Sequence, residues 1–150
     1  MIKIICVGSI KEPSLKTLIA EYLKRISKYT KIEIIELPDY NLDVKATLKQ
    51  EGLNILKKID SKDFVITLEI DGNMLNSLEL AEKIRTIQIN NPTIAFVIGG
   101  SNGLDESVKA RSNYALSFSK LTFPHQLFRL NLLEQIFRAY KIINNEAYHK

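Results

Sequence analysis

The chain has 150 residues, of which 45% are hydrophobic and 25% charged, with a formal net charge of +4. This composition is typical of a globular protein, and the length suits one domain, residues 1–150, that buries roughly 70% of its unfolded surface. Disordered, collagen-like and coiled-coil proteins are excluded, and no apolar run approaches the roughly 18 residues of a membrane span.

Cysteine and histidine are scarce, with Cys6 as the only cysteine and two histidines. Cys6 cannot form an internal disulfide, which favours a reducing cytoplasm. These residues also provide too few soft ligands for a structural zinc site, so we expect no metal of that kind.

The positive charge is concentrated near the carboxyl terminus. Residues 109–150 carry seven basic side chains and two acidic ones, whereas residues 1–108 have a net charge of −1. A localised basic surface suits a polyanion such as nucleic acid, because neutralised phosphates release counterions. A solvated basic helix face explains the same charge, so charge alone does not choose between the two.

Strand-like and helix-like segments alternate along the chain. β-Branched and apolar runs predict strands at 3–7, 32–37, 64–70, 93–98 and 114–119. Helical spacing of apolar residues and start signals predict helices that begin near Pro13, Val44, Asn76, Asp105 and Pro124. Asn76 and Glu79 have the spacing of a capping box. The dipeptide Asp71–Gly72 predicts a turn that closes the third strand.

Repeated strand–helix alternation predicts an α/β fold with an open, mostly parallel sheet and helices on both faces. In such sheets a ligand binds beyond the carboxyl ends of the strands, where the strand order reverses. Three loops follow strands at that edge: 69–73, 99–103 and 119–124. We therefore expect the functional site where these loops meet.

The second of these loops follows a buried strand and reads VIGGSNG at 97–103. Its paired glycines let a ligand or another backbone come close, because no Cβ obstructs the approach. The loop lacks the Gly-Lys-Ser/Thr of a P-loop and the spacing of a dinucleotide fingerprint. A tight turn and a ligand contact both explain the glycines, and the position at a strand end favours a ligand.

The third loop and the start of the last helix read SFSKLTFPHQ at 117–126. Its backbone groups can bind the edge of a base while Leu121 and Phe123 sandwich it, or Phe123 simply covers the core. His125 lies at the helix start, where the helix dipole disfavours an imidazolium. A neutral imidazole there can accept a proton, although a lone histidine is more often structural.

The chain ends in NEAYHK at 145–150. Such an end is ordinarily frayed, but Tyr148 can stack on a base and Lys150 can meet a phosphate if the tail orders on nucleic acid. Arg129 and Arg138 are nine residues apart on one helix and point to opposite sides, so at most one reaches a substrate on the same protomer.

Several runs together closely resemble one family. The runs TLEIDG (67–72), VIGGSNGL (97–104), SFSKLTFPHQLFR (117–129) and EAYHK (146–150) resemble the RlmH family, the ribosomal RNA large-subunit methyltransferases of the SPOUT superfamily. The resemblance covers all 150 residues. It implies a homodimer with a C-terminal trefoil knot, a feature that general rules on chain threading argue against.

The same resemblance implies an activity and a set of site residues. It implies that S-adenosyl-L-methionine methylates N3 of a pseudouridine in helix 69 of 23S rRNA, within the assembled ribosome. The implied cofactor-binding residues are Leu68, Gly100, Ser119, Lys120, Leu121, Thr122, Phe123 and Pro124. The candidate substrate-binding residues are Arg129, Arg138, Tyr148 and Lys150, where some relatives have arginine in place of Lys150.

The N3 proton must be removed during this reaction, and His149 and His125 are the candidate bases. His149 is preferred because the tail can approach the nucleotide. The last helix also carries an apolar stripe that either pairs two protomers or faces its own sheet (Leu127, Leu130, Leu133, Phe137 and Tyr140). Two alternative functions stay open: a SPOUT methyltransferase acting on transfer RNA, and a non-catalytic nucleotide- or RNA-binding module.

Overall fold

The computed structural model describes all 150 residues as one five-stranded sheet with five helices. The strands are β1 (Ile2–Val7), β2 (Ile32–Leu37), β3 (Phe64–Met74), β4 (Ile94–Ile98) and β5 (Tyr114–Ser117). The helices are α1 (Pro13–Ile26), α2 (Val44–Leu56), α3 (Ser77–Asn90), α4 (Glu106–Arg111) and α5 (His125–Ile143). No helix has the length and apolar character needed to cross a membrane.

The sheet has the order β2-β1-β4-β3-β5, and every strand pair is parallel. The predicted α/β fold is confirmed, and the sheet is wholly rather than mostly parallel. β1 and β4 are buried at every residue, as continuous apolar runs covered on both faces should be.

Helices cover both faces of the sheet, as the alternation predicted. The larger core cluster, 21 buried residues, includes side chains of α1, α3 and α5, and the smaller one, nine residues, lies under α2 and α4. The predicted capping box is present at the start of α3: the Asn76 side chain accepts from the Glu79 backbone, and the Glu79 carboxylate accepts from the Asn76 N–H.

The predicted turn at Asp71–Gly72 is wrong, because β3 continues to Met74. Leu68 and Asn73 both pair with Leu116 of β5, so residues 69–72 bulge out of the ladder. At Gly72 a β-carbon would lie 2.9 Å from backbone atoms of Ala115 and Leu116. The glycine therefore permits close passage of two strands instead of forming a hairpin turn.

Candidate active site

A cleft of about 350 Å³ opens beyond the carboxyl ends of β3, β4 and β5. Its lining comes from all three segments that the strand-end rule selected: 69–73, where the structure has the bulge at 69–72, the glycine loop at 99–103 and the loop at 119–124. Leu68, Ile98 and Leu116 supply apolar surface between them. The volume lies in the range of small-molecule sites in proteins.

The glycine loop is a tight turn that presents backbone to the cleft. The Gly103 N–H donates to the Gly100 carbonyl at 3.1 Å, and Gly103 has φ +84°, a conformation that favours glycine. Gly99 packs directly on the backbone of Gly103, where a β-carbon has no room. These contacts leave Gly99, Gly100, Ser101 and Gly103 as one wall of the cleft.

A buried carboxyl group supports the glycine loop from behind. Glu51 of α2 is 4% exposed, and its Oε2 would lie 2.9 Å from a β-carbon at Gly100. Burial, helped by the nearby negative charge of Asp39, raises the pKa of this carboxyl, and Oε2 has no hydrogen-bond partner. A side chain at Gly100 would displace Glu51, so the glycine is a packing requirement, and its other side lines the cleft.

The loop at 119–124 forms the opposite wall together with the start of α5. The Leu121 N–H donates to Ser119 Oγ at 3.0 Å, and Phe123 stacks on Phe128 with ring centroids 5.9 Å apart. Leu121 is 72% exposed. Ser119, Leu121, Thr122 and Phe123 line the cleft, whereas Lys120 and Pro124 do not.

The two predicted histidines lie at different places. His125 is the first residue of α5 and lines the cleft. His149 does not line it. Instead, His149 Nδ1 is 3.2 Å from a guanidinium nitrogen of Arg138. Because an arginine only donates, Nδ1 accepts this hydrogen bond and the neutral ring carries its proton on Nε2.

The carboxyl-terminal tail is docked on α5 rather than frayed. The Tyr148 hydroxyl donates to Glu134 at 3.1 Å, and its ring packs edge-on against Phe137 with centroids 5.0 Å apart. Burial and this contact with Glu134 raise the pKa of Tyr148 to about 12. Arg138 lies over the same ring and also donates to Glu134. The structure thus brings Arg138, Tyr148 and His149 into one cluster.

This cluster borders a second cleft of about 640 Å³. His149 and Glu134 lie on one side, and the start of α3, including Asn76 and Leu78, lies on the other. Leu116 and Phe118 line both clefts, so the two clefts are adjacent.

Arg129 is not available to RNA in this structure. It is 2% exposed, donates to Glu36 at 2.7 Å and to the Gly8 carbonyl at 3.1 Å, and so joins α5 to β1 and β2. The opposite orientations predicted for Arg129 and Arg138 hold, and it is Arg138 that lies beside the tail. We therefore correct the prediction that Arg129 contacts substrate.

Most of the excess basic residues near the carboxyl terminus have partners within the chain. Arg138 pairs with Glu134, Lys141 with Glu146, and Arg111 donates to backbone carbonyls. Neither Lys120 nor Lys150 forms an ion pair. The apolar stripe of α5 largely faces the chain's own core, since Leu133, Phe137 and Tyr140 are buried and Leu127 is exposed.

Comparison with known proteins identifies the class. A family model described as "Predicted SPOUT methyltransferase" matches residues 1–149. Two proteins of Clostridium botulinum, from strains 657 and Okra, are each 52% identical to this chain over 99% of its length and 99% of theirs. Both are named ribosomal RNA large subunit methyltransferase H.

A solved structure has the same fold at much lower sequence similarity. It is described as a probable methylase family protein from Haemophilus influenzae Rd KW20 and has a TM-score of 0.59 at 17% identity. The match covers 99% of this chain and 70% of that one. The chain, a parallel α/β protein with a cleft at its strand ends, belongs to the SPOUT methyltransferase family. The resemblance stated from its motifs is confirmed.

Sequence reasoning missed several residues of the site. Lys109 lines the first cleft, and Glu51 supports its glycine loop from α2; Glu69 also lines the cleft, and it lay in the predicted loop 69–73 without being given a role. The position of Glu69 next to Leu68 at a strand end was an available signal. No comparable signal existed for Glu51, because its contact with Gly100 depends on how α2 packs across the sheet.

Proposed function

We propose that this protein is a ribosomal RNA methyltransferase that transfers a methyl group from S-adenosyl-L-methionine to N3 of a pseudouridine in helix 69 of 23S rRNA. The observation that carries the proposal is the cleft built from the bulge, the glycine loop and the loop at 119–124, in a chain that belongs to the SPOUT family. Full-length relatives named for methylation of large-subunit rRNA support the choice of substrate.

The residues of the first cleft fit a methyl donor of this kind. Exposed backbone of the glycine loop can meet polar groups of a nucleoside, and Leu121 with Phe123 offers apolar surface for a base. When bound, S-adenosyl-L-methionine supplies a methyl group already activated by its sulfonium. Leu68, Gly100, Ser119, Leu121, Thr122 and Phe123, which line the cleft, would hold it.

The remaining task of the chain is positioning and proton removal. Holding the acceptor nitrogen in line with the methyl group makes the step effectively unimolecular, and a general base contributes roughly 10²–10⁴-fold. His125 lines the donor cleft, and His149 borders the neighbouring cleft. For His149 to accept the N3 proton on Nδ1, Arg138 must first release that nitrogen.

The second cleft and the tail are the proposed RNA surface. Arg138 and Tyr148 are grouped with His149, which borders that cleft. Lys150 forms no ion pair. We also propose a homodimer with a C-terminal trefoil knot, in agreement with the family resemblance. Exposed apolar side chains at both clefts, including Ile70, Leu121 and Leu78, are available for a second protomer to cover. A ribosomal substrate implies a cytoplasmic enzyme.

The proposal is tested by methyl transfer from labelled S-adenosyl-L-methionine to four acceptors: assembled ribosomes, isolated large subunits, naked 23S rRNA and transfer RNA. We expect methylation of assembled ribosomes, mapped by mass spectrometry to N3 of one helix 69 pseudouridine. Ser119→Trp, which fills the cleft, should abolish it, and Ser14→Trp, the same change at an exposed position of α1, should not.

Other outcomes decide between the alternatives. Methylation of transfer RNA alone would identify a SPOUT enzyme with a different substrate. Binding of RNA without any binding of S-adenosyl-L-methionine would identify a non-catalytic module. Either result would overturn the proposed function.

A further inference from the structure

An acidic residue of the β3 bulge and a basic residue of α4 lie next to each other in the lining of the first cleft. Glu69 is the first residue of the bulge, and Lys109 lies on α4, which follows the glycine loop. Both line the cleft, with side chains 20% and 40% exposed. Apart from these two, the only charged side chain on the cleft lining is Asp71, with His125 as a titratable neighbour.

The two groups face each other without making a hydrogen bond. Lys109 Nζ is 3.9 Å from Glu69 Oε1 and 3.6 Å from Glu106 Oε1, both too long for an N–H donor. An ion pair this loose and this exposed contributes little to stability. The ammonium of Lys109 and Oε1 of Glu69 therefore keep their capacity to bind another charged group.

The position of Glu69 is nonetheless fixed by a chain of hydrogen bonds. Its Oε2 accepts from Thr67 Oγ1 at 2.7 Å, and that hydroxyl is 2.8 Å from Ser112 Oγ. The single hydroxyl proton of Ser112 is donated either to Thr67 Oγ1 or to the Tyr114 carbonyl, which is 3.0 Å away. One oxygen is thus held by the sheet while the other is unbonded, which is the arrangement of a preorganised binding group.

We propose that Glu69 and Lys109 bind the amino-acid end of the methyl donor, with Glu69 accepting from its α-ammonium and Lys109 donating to its α-carboxylate. This assignment rests on the proposed function. The nucleoside half of S-adenosyl-L-methionine offers no opposite charge to these two groups, whereas its methionine half is a zwitterion. An acid and a base side by side match that zwitterion, and the apolar and glycine walls are left for the nucleoside.

Calorimetric titration with three ligands tests the assignment. S-adenosyl-L-methionine and S-adenosylhomocysteine both carry the zwitterion, and 5′-methylthioadenosine has the same nucleoside without it. The variants are Glu69→Gln, which keeps an acceptor for Thr67, and Lys109→Gln. The matched control is Glu106→Gln, which also removes a carboxylate beside Lys109 but at a side chain 91% exposed and outside the cleft lining.

We expect each cleft variant to weaken binding of both zwitterionic ligands by about tenfold or more, as loss of a charge-assisted contact does. Binding of 5′-methylthioadenosine should stay within twofold, which also shows that the cleft is folded. The control should bind all three ligands as the unchanged protein does.

Three results with the two cleft variants would overturn the assignment and leave the proposed function standing. Unchanged affinity for both zwitterionic ligands would mean no contact, and equal weakening for all three would mean a distorted cleft. Weakening for S-adenosyl-L-methionine alone would place the charge contact at the sulfonium. If the unchanged protein bound neither zwitterionic ligand, the proposed function itself would fall, and this assignment with it.

Discussion

Arg129 illustrates how the role of a basic side chain depends on what covers it. The sequence places it on a basic helix next to a predicted ligand loop, which suggested a contact with RNA. In the fold its guanidinium is buried and binds Glu36 and the Gly8 carbonyl. The residue therefore fastens α5 to the sheet.

Replacing this side chain should affect stability and leave RNA recognition intact. Arg129→Met leaves the Gly8 carbonyl unpaired, while Glu36 is 43% exposed and can be solvated, so we expect a loss of about 1–3 kcal/mol in the free energy of unfolding. Urea denaturation measures this loss. Arg25→Met, which breaks an exposed pair with Glu21, should cost less than about 1 kcal/mol. Weaker ribosome binding by folded Arg129→Met, with unchanged stability, would restore the RNA role.

Replacing His125 and His149 one at a time by Asn tests which of them is the general base. If one is the base, its change to Asn should lower the single-turnover methylation rate about 10²–10⁴-fold and remove the acid limb of the pH–rate profile. The other variant should keep that limb. We expect loss of His149 also to weaken RNA binding, because the ring holds Arg138.

Single-turnover rates at saturating RNA, measured from pH 5 to 9, separate these effects. Full rates and unchanged profiles for both variants would show that neither histidine is the base. A rate defect that higher RNA concentration restores would assign His149 to binding alone.

The bulge in β3 is the element that shapes the site. By displacing residues 69–72 from the ladder it brings Glu69, Ile70 and Asp71 to the cleft, as bulges next to active sites do. The bulge depends on Gly72, the residue that passes against the backbone of β5.

Gly72→Ala tests this dependence. A β-carbon 2.9 Å from backbone atoms forces β3 and β5 apart, and we expect a loss of about 1–3 kcal/mol in stability together with weaker binding of S-adenosyl-L-methionine. Thermal unfolding and calorimetry measure both. Asp71→Ala, on the same bulge and exposed, should stay within about 0.5 kcal/mol of the unchanged protein in stability. If Gly72→Ala were as stable as the unchanged protein, the role of the close approach would be contradicted.

The spacing of apolar residues predicted the strands and helices well, because it depends only on which side of a single strand or helix is buried. All five strands and all five helix starts were placed within a few residues, and the Asn76–Glu79 cap was found because its partners are three residues apart. The prediction of a turn at Asp71–Gly72 was wrong because the role of Gly72 is set by a contact remote in sequence. The contact that requires Gly72 is with β5, more than forty residues away, and no local pattern carries that information.

At the scale of the molecule, parallel strands determined how much of the site was predictable. Their carboxyl ends share one edge, so three loops remote in sequence could be expected to meet there, and they do. The second cleft could not be predicted, because it forms where the tail docks against α5 and the start of α3. The knot stays a prediction of the family resemblance.

Fewer basic side chains are free to contact RNA than the net charge of +4 suggests. Pairing within the chain occupies most of the basic residues near the carboxyl terminus, and Lys150 is one that stays free. If Lys150 meets a phosphate, Lys150→Gln should weaken ribosome binding and reduce the slope of log affinity against log salt by about one. Lys16→Gln, at an exposed position of α1, should change neither the affinity for ribosomes nor this slope. An unchanged slope for Lys150→Gln would remove Lys150 from the RNA surface.

The most direct test of the account is a crystal structure with S-adenosylhomocysteine bound. We expect the nucleoside between Gly100 and the loop at 119–124, next to Leu68, with its amino-acid end at Glu69 and Lys109. Density for the ligand only in the second cleft, or a first cleft that stays closed to it at millimolar concentration, would contradict the assignment of this cleft as the methyl-donor site.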